Sequence, residues 1–272
     1  MSVLNKISVV MPTYAADSPL HLLVAGQSVL RQTFPPDELI IVLDGPVKQE
    51  AVNLMKSLTQ YGTVRIIPCE INMGPGIARH IGIMSAKNEI IALMDADDIS
   101  LPSRFQLQIE AMISQSVDVV GGWIREFDAD GKAEENLRIV PEFNNQILKL
   151  AKVRSPMNNV TVMFKRDLYL KSGGFSSMRS FEDYDLYVRM LLVGARFYNL
   201  QEVLVQVRSG VDMFRRRGGL KQIPIESGML LRMYKSGFLS AHELIRNWIM
   251  RTAVRLLPNR ARRFLYLTIL RR

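Results

Sequence analysis

The sequence lacks the features that define several large classes of protein. Among its 272 residues there is one cysteine, Cys69, so an internal disulfide and a cysteine-based zinc cluster are both excluded. No apolar run approaches the roughly 20 residues that span a bilayer. The amino-terminal segment passes from one lysine through a short apolar stretch into Pro12, which predicts a first strand rather than a signal peptide. A reducing cytoplasm is the compartment that this cysteine usage favours.

The composition is that of an ordinary globular protein. Hydrophobic residues make up 48% and charged residues 22%, which excludes disordered and collagen-like chains. There is no internal repeat and no low-complexity segment. The length suits one large domain or a domain with an appendage.

Positive charge is concentrated at the carboxyl-terminal end. The formal net charge is +9, and residues 240–272 hold eight arginines against one acid, Glu243. Basic residues beside an apolar face are typical of a helix lying on an anionic membrane surface. The alternative is an amphipathic helix that packs on its own domain and leaves its arginines in water. The helical positions that form the apolar face are 241, 244, 245, 248, 249, 252 and 256.

Strands and helices alternate through the first 125 residues. The runs "KISVVMP", "ELIIVLDG", "TVRIIP" and "EIIALMDADD" are predicted strands, and each is followed by a helical pattern. Nearly continuous apolar strands with short links predict an α/β fold with a parallel, doubly wound sheet. Ligands bind such sheets beyond the carboxyl ends of the strands. Later in the chain "ARFYNL" and "VLVQVR" are predicted as two strands, and the pattern from Val211 is mostly helical.

Three acids close one of the predicted strands. Asp95, Asp97 and Asp98 follow a run that is otherwise apolar. Two carboxylates about 5 Å apart repel each other by roughly 3 kcal/mol at an effective dielectric near 20, so a cation is expected there. Oxygen ligands in this number suit Mg²⁺ or Mn²⁺ completed by water and phosphate oxygens. The alternative is that Asp98 and Ser100 cap a helix opening at Pro102.

A second motif, "INMGPGIARHIG", opens a helix after Gly74 and Gly76. Arg79 lies early in that helix, where a cation opposes the helix dipole, so an anion such as a nucleoside diphosphate would compensate. The alternative is a surface arginine that reaches into water. At two other strand ends, Asp44 could accept hydrogen bonds from a nucleobase or ribose and Tyr14 could cover a base. A plain turn explains either position equally simply.

A third motif, "SFEDYDLYVRM", places acids in the first turn of a helix. Asp183 could act as a general base, because a carboxylate at a helix amino terminus stays ionised. The alternative is a capping box between Ser180 and Asp183. Further on, Arg216 and Arg217 precede two glycines and could close over a phosphate, or could form a solvated basic surface.

In order and spacing, these motifs resemble the family 2 glycosyltransferases, which have the GT-A fold, a Rossmann-like, mostly parallel sheet flanked by helices. The resemblance covers roughly residues 6–220 and rests on "ISVVMPTY", "QTFPPDELIIVLDG", "NMGPGIARHIGI", "MDADD", "MFKRDLYLKSGGF" and "FEDYDLYVRM". It is closest to bacterial enzymes of amylovoran, O-antigen and exopolysaccharide synthesis. It implies a GT-A domain over residues 1–220, with a nucleotide-sugar half to about 125 and an acceptor half from about 126. A helical, basic extension follows at 221–272.

The resemblance also implies roles for the residues that bind the donor. Residues matching Pro12, Tyr14 and Asp44 lie around the nucleotide base in such enzymes. The residue matching Arg79 lies near the base or the diphosphate, and the one matching Asp95 contacts the nucleoside sugar.

The catalytic and metal roles follow from the same resemblance. The acid matching Asp97 binds Mn²⁺ or Mg²⁺, with Asp95 beside it. The acid pair Glu182 and Asp183 supplies the catalytic base, usually through its second member. The family inverts the configuration at the sugar in a single displacement. A Gln-x-x-Arg-Trp motif of the processive synthases is absent, which favours the addition of one sugar per encounter.

The function expected from these observations is transfer of one sugar from a nucleoside-diphosphate sugar to a lipid-linked oligosaccharide. We expect the nucleoside diphosphate to be UDP. The protein would work in the cytoplasm, peripherally on the inner face of the cell membrane, with residues 240–272 on its anionic surface. An alternative enzyme makes a polyprenyl-phosphate sugar, and another alternative is a non-catalytic module that binds nucleic acid or membrane. The near-neutral charge of residues 1–239 argues against a nucleic-acid partner, and no G-x-G-x-x-G follows the first strand, which argues against a nicotinamide enzyme.

Overall fold

The computed structural model describes residues 6–127, 133–208 and 222–256, which form one mixed sheet with helices on both faces. The strands are β1 (Ile7–Thr13), β2 (Glu38–Leu43), β3 (Val64–Pro68), β4 (Ile90–Leu93), β5 (Ile99–Ser100), β6 (Val119–Phe127), β7 (Ala133–Arg138), β8 (Met163–Lys165) and β9 (Phe197–Arg208). The helices are α1 (Pro19–Leu30), α2 (Gln49–Ser57), α3 (Pro75–Ser85), α4 (Arg104–Ser114), α5 (Asn144–Ala151), α6 (Arg166–Lys171), α7 (Glu182–Leu192), α8 (Gln222–Lys235) and α9 (Ala241–Leu256). Single 3-10 turns lie at Leu58–Gln60 and Asn159–Thr161.

The order of strands across the sheet is β3-β2-β1-β4-β8-β6-β9-β5, and β7 pairs with β6. Strands β3, β2, β1 and β4 are mutually parallel, as the alternating sequence pattern predicts. β8 then enters antiparallel between β4 and β6, so the sheet is mixed beyond the first four strands. The carboxyl ends of β1, β2 and β4 therefore meet at one edge of the sheet.

The apolar strands are continuous because both faces of the sheet are buried. β1, β2 and β4 alternate their side chains between two cores, with Val9 and Ile41 on one face and Val10 and Ile40 on the other. Helices α1, α2 and α4 cover the first face, and α3, α6 and α7 cover the second. Successive residues of a strand point to opposite faces, so a strand covered on both sides needs apolar residues throughout.

β9 is one long strand, and the prediction of two separate strands there was wrong. It runs parallel to β6 over its length, with register shifts beside Trp123. Gln201 and Glu202, which separate the two apolar runs, are exposed at this irregularity. The polar residues interrupt the hydrophobic pattern but not the hydrogen-bonded ladder.

The carboxyl-terminal helices pack on the domain. Met229, Leu230 and Met233 of α8 share a third core with Tyr184 and Val188 of α7. The predicted helical extension is therefore present as far as residue 256, and residues 257–272 lie outside the described part of the chain. Among the described helices, none combines the length and the hydropathy that a bilayer-spanning segment requires.

Candidate active site

The edge where β1, β2 and β4 end carries the predicted donor-binding residues. Asp44 follows β2, and its buried carboxylate accepts hydrogen bonds from the backbone N–H of Met73 at 2.6 Å and of Gly74 at 2.9 Å. Asn72 also donates to the Asp44 carbonyl at 3.1 Å. Asp44 thus fixes the loop that leads into α3 and holds the start of α3 beside the end of β2.

Tyr14 and Pro12 lie at the end of β1. Pro12 is opposite Val42 in the parallel ladder, and Tyr14 is exposed directly after the strand. The carboxylate of Asp17 accepts hydrogen bonds from the Thr13 hydroxyl and the Tyr14 N–H, both at 3.0 Å. This turn holds the Tyr14 backbone beside Asp44 and leaves the ring accessible, and its contact with a base stays a prediction.

The acids after β4 form a tight turn. Asp98 is buried and accepts the backbone N–H of Arg208, at the end of β9, at 2.9 Å. Burial, together with the charges of Asp95 and Asp97, raises the pKa of Asp98 well above its ordinary value. The helix after the turn begins at Arg104 and is preceded by Ser103. Asp98 and Ser100 therefore do not cap it, and that alternative was wrong.

Arg79 connects the acidic turn to the start of α7. Its Nη2 donates to Asp95 Oδ1 at 2.6 Å, and its Nη1 donates to Glu182 Oε1 at 3.4 Å. The side chain is buried, so the alternative of a surface arginine in water was wrong. Burial alone would lower the pKa of Arg79, but Asp95 and Glu182 raise it. Its buried Nε has no hydrogen-bond partner among the described residues.

Two glycines allow the start of α3 to lie close to the start of α7. Gly74 has a φ of +94° at the start of α3, a conformation that side chains rarely adopt. A Cβ on Gly76 would lie 3.0 Å from Glu182 Cγ and 3.3 Å from the Ser176 carbonyl oxygen. The first turn of α3 therefore packs directly against Glu182, 106 residues further along the chain.

The predicted acid pair begins α7. Glu182 is buried, and burial followed by the charge of Asp183 raises its pKa, although Arg79 opposes this. Asp183 is half-buried, and its Oδ1 accepts the N–H of Tyr184 at 2.7 Å. Phe181, in a left-handed conformation with φ of +62°, precedes the helix, and no side chain caps it. The capping box between Ser180 and Asp183 was therefore wrong.

Two further polar residues lie behind the acidic turn, and the sequence analysis did not single them out. Arg104 is fully buried and donates to the Leu93 carbonyl at 2.8 Å and to Gln108 Oε1 at 3.0 Å. Burial lowers its pKa to about 9, although Asp95 and Asp98 oppose this. Two polar residues four apart on the inward face of an apolar helix were the signal that could have revealed it.

Tyr187 lies beneath the acid pair. It is fully buried on α7, and its hydroxyl donates to Asn159 Oδ1 at 2.6 Å. Burial, followed by the charge of Asp183, raises its pKa well above the ordinary value. It is therefore a neutral support of the site. The other predicted donor-binding residues, Arg216 and Arg217, lie outside the described residues.

The acidic turn fits a divalent ion only in part. Three carboxylates are close neighbours there, and burial followed by the charges of Asp95 and Asp97 raises the pKa of Asp98. Within the described ranges no three His, Cys, Asp or Glu side chains form a ready-made metal cluster. An ion bound by Asp97 and Asp95 would thus take its remaining ligands from water and from the donor's phosphates, which suits Mg²⁺ or Mn²⁺.

Comparison with known proteins identifies the family of this chain. A model of the family described as "Glycosyl transferase family 2" matches residues 8–173. The chain belongs to this family, as the resemblance of its motifs predicted.

Relatives from several bacteria match nearly the whole chain. The Escherichia coli protein named UDP-Gal:alpha-D-GlcNAc-diphosphoundecaprenol beta-1,3-galactosyltransferase is 34% identical, over 98% of this chain and 97% of its own length. Amylovoran biosynthesis glycosyltransferase AmsE of Erwinia amylovora is 33% identical, over 95% of this chain and 97% of its own length.

Solved structures of S. aureus TarS share the fold. The structure of TarS residues 1–349 in complex with UDP-GlcNAc has a TM-score of 0.67 and 18% identity, over 88% of this chain and 69% of that one. A longer TarS structure has a TM-score of 0.65 and 17% identity, and this chain spans only 43% of it. The likeness confirms the GT-A fold.

Proposed function

We propose that this protein transfers one sugar from a nucleoside-diphosphate sugar to a lipid-linked saccharide in the synthesis of a bacterial surface polysaccharide. UDP-galactose and GlcNAc-diphosphoundecaprenol are the first substrates to test, because the Escherichia coli relative is named for them. The observation that carries the proposal is the position of Arg79 between Asp95 and Glu182. We call the edge where β1, β2 and β4 end the donor edge. One buried guanidinium joins Asp95 of this edge to the acid pair that begins α7.

The donor is proposed to lie over the edge formed by residues before about 125. The nucleoside would lie by Tyr14 and Asp44, with its sugar near Asp95. The unpartnered Nε of Arg79 supports an anionic ligand at this edge, because a buried donor without a partner is costly. The acceptor is proposed to enter from the side of residues 126–220, which contribute α7.

Asp183 is proposed as the base. Its carboxylate takes the proton of the acceptor hydroxyl, whose oxygen bonds to the anomeric carbon while the bond from that carbon to the diphosphate oxygen breaks. Attack opposite the leaving group inverts the anomeric centre. The greater exposure of Asp183 compared with Glu182 supports this choice, because the base must reach the acceptor. Glu182, held by Arg79, keeps the first turn of α7 against α3.

Asp97, with Asp95, is proposed to hold Mn²⁺ or Mg²⁺. A bound divalent ion would neutralise the charge of the departing diphosphate. Asp95 already pairs with Arg79 at 2.6 Å, so its carboxylate would be shared between that guanidinium and the ion.

Asp183→Asn tests the base. Transfer of labelled galactose from UDP-galactose to GlcNAc-diphosphoundecaprenol should fall by about 10²–10⁴-fold, because the amide cannot accept the proton. The matched control is Asp167→Asn, since Asp167 is an exposed acid in the first turn of α6 and also accepts the N–H of the next residue, at 2.6 Å. The control should transfer normally, and both variants should bind UDP like the parent. Full activity of Asp183→Asn would refute the assignment.

The acceptor is tested in the same assay. Polyprenyl phosphate offered in parallel with the lipid-linked saccharide should receive no sugar. Transfer to polyprenyl phosphate alone would favour the alternative enzyme.

Asp97→Asn tests the metal. The rise in melting temperature that UDP produces should depend on added Mn²⁺ in the parent and should lose that dependence in the variant, because ligands stabilise by mass action. Asp167→Asn again serves as the control. A shift that EDTA leaves unchanged in the parent would contradict the metal proposal.

The place of action is proposed to be the inner face of the cell membrane, where a lipid-linked acceptor would be met. The basic residues of 240–272 support contact with an anionic surface.

A further inference from the structure

Helix α9 packs on the domain through its polar side. Asn247 is buried and donates to the Lys152 carbonyl at 2.6 Å. Arg251 and Arg255 both pair with Glu226, a buried acid of α8, the latter at 3.1 Å. These side chains recur every three or four residues and so form one face of the helix.

The apolar face of α9 points the other way. We call this face the outer stripe, and its large members are Ile245, Ile249 and Leu256. Their exposed fractions are 58%, 56% and 63%, in that order. Trp248 borders the stripe, and its indole Nε1 donates to the Ser227 hydroxyl of α8 at 3.0 Å. A helix that served only to complete its domain would turn this face inward. Here charged pairs occupy the inward side, and the stripe is left outside among the residues that the structure describes.

We propose that the outer stripe lies in the headgroup region of an anionic membrane. Two observations favour a lipid surface over a protein partner. The exposed Arg246 adjoins the stripe, and residues 257–272, outside the described part of the chain, add five arginines and no acid to the sequence. Apolar side chains with flanking arginines match a surface that offers both hydrocarbon and negative charge.

The inward side of α9, opposite the stripe, contacts the start of α7, where the candidate base lies. Arg255 lies with its guanidinium carbon 5.8 Å from the ring centre of Phe181, and Arg251 lies 5.5 Å from that of Tyr184. Phe181 and Tyr184 flank the acids that begin α7. A membrane touching the stripe would therefore lie on the side of α9 that faces away from the start of α7. This deepens the proposed function, on which it rests, because it brings the lipid-linked acceptor to the base.

A matched pair of variants tests the stripe. Ile249→Glu puts a charge in the stripe, whereas Met250→Glu puts the same charge at the next residue, 48% exposed but outside the stripe. Binding of the full chain to vesicles is measured by sedimentation without any donor. The vesicles contain phosphatidylcholine with or without about one third phosphatidylglycerol. Ile249→Glu should weaken binding to the anionic vesicles by about tenfold, and Met250→Glu by less than about threefold.

Activity gives a second measurement. With a water-soluble, short-chain acceptor, both variants should transfer like the parent. With a long-chain acceptor in vesicles, only Ile249→Glu should lose rate. Equal vesicle binding by the two variants would overturn the proposal. So would a lower melting temperature or a smaller oligomeric state of Ile249→Glu than of the parent, because the stripe would then be packing against protein. Absence of transfer by the parent would refute the proposed function and leave the vesicle result to stand by itself.

Discussion

Arg79 is held by acids on two sides, and its surroundings explain why. A buried guanidinium requires nearby negative charge, since its desolvation would otherwise destabilise the fold. Asp95 supplies that charge from the donor edge, and Glu182 supplies it from α7. Each acid is in turn stabilised by the arginine. The side chain therefore sets the distance between the donor edge and the first turn of α7.

Gly76→Ala should damage catalysis more than stability. The added methyl group would press on Glu182 at 3.0 Å and shift the start of α7 by a few tenths of an ångström. Because reacting groups must be placed within a fraction of an ångström, kcat should fall by about tenfold. The preference of helices for alanine, about 0.5–1 kcal/mol, should offset most of the strain, so Tm should change little.

The control for this substitution is Gly228→Ala in α8. The nearest atom to its added Cβ is a guanidinium nitrogen of Arg232, 3.9 Å away. This variant should be slightly more stable and fully active. An unchanged kcat in Gly76→Ala would show that the contact with Glu182 does not position the acid pair.

The sequence indicated the charge of the site but not its internal partners. Asp95 and Asp97 were singled out because carboxylates clustered at the end of an apolar strand repel each other. Arg79 was singled out because a cation early in a helix opposes the helix dipole. The sequence could not show that Asp95 and Glu182 would be the anions that pair with this arginine, because Glu182 lies 103 residues from Arg79 in the chain. Such a contact depends on how α7 packs across the sheet.

The pair of carboxyl-terminal helices depends on one buried acid. Glu226 pairs with Arg251 and Arg255, and all three lie between α8, α9 and the start of α7. Removing one partner of a buried ion pair leaves charge without compensation.

Glu226→Gln should therefore lower the free energy of unfolding by about 3 kcal/mol. Chemical denaturation should still show one transition, because α8 shares its core with α7. Glu202→Gln, which changes an exposed acid of β9, should leave stability unaltered. A separate early transition in the Glu226 variant would instead show that α8 and α9 unfold independently of the sheet.

At the scale of elements, periodicity identified the faces but not their directions. Of the apolar positions predicted to form one face of α9, Leu244 contacts the third core, whereas Ile245, Ile249 and Leu256 are exposed. The pairing of Glu226 with two arginines, set by a different helix, decides which side turns inward. In β9, likewise, the exposed Gln201 and Glu202 suggested a break that the hydrogen bonds to β6 bridge.

Across the whole molecule, Glu38 connects three neighbouring parts of the sheet layer. Its buried carboxylate accepts hydrogen bonds from the Ser8 hydroxyl and the Lys87 N–H, both at 2.7 Å, and from Arg65 at 2.9 Å. Although burial alone would raise the pKa of Glu38, these bonds lower it below its ordinary value of 4.5. The ionised form is thus favoured more in the folded chain than in the unfolded one.

Glu38→Gln should lower the free energy of unfolding by about 2 kcal/mol near pH 7. A lowered pKa contributes stability above the ordinary value of 4.5, and that contribution is lost as the pH falls through the folded pKa. The difference between parent and variant should thus be constant near neutrality and shrink below 4.5. Urea unfolding at a series of pH values measures it, and a difference that grows on acidification would contradict the assignment.

The bridge made by Arg79 also bears on how such enzymes diversify. A gene exchange that replaced the segment containing α7 would bring in a new acceptor surface, but it would also have to bring an acid able to meet the resident guanidinium. Recombinant proteins without an acid that pairs with Arg79 would have a misplaced acid pair and low activity, however well each parental segment folds. Under the proposed function, donor choice and acceptor choice would consequently be inherited together, and new linkages should arise by gradual change around the bridge instead of by shuffling of halves.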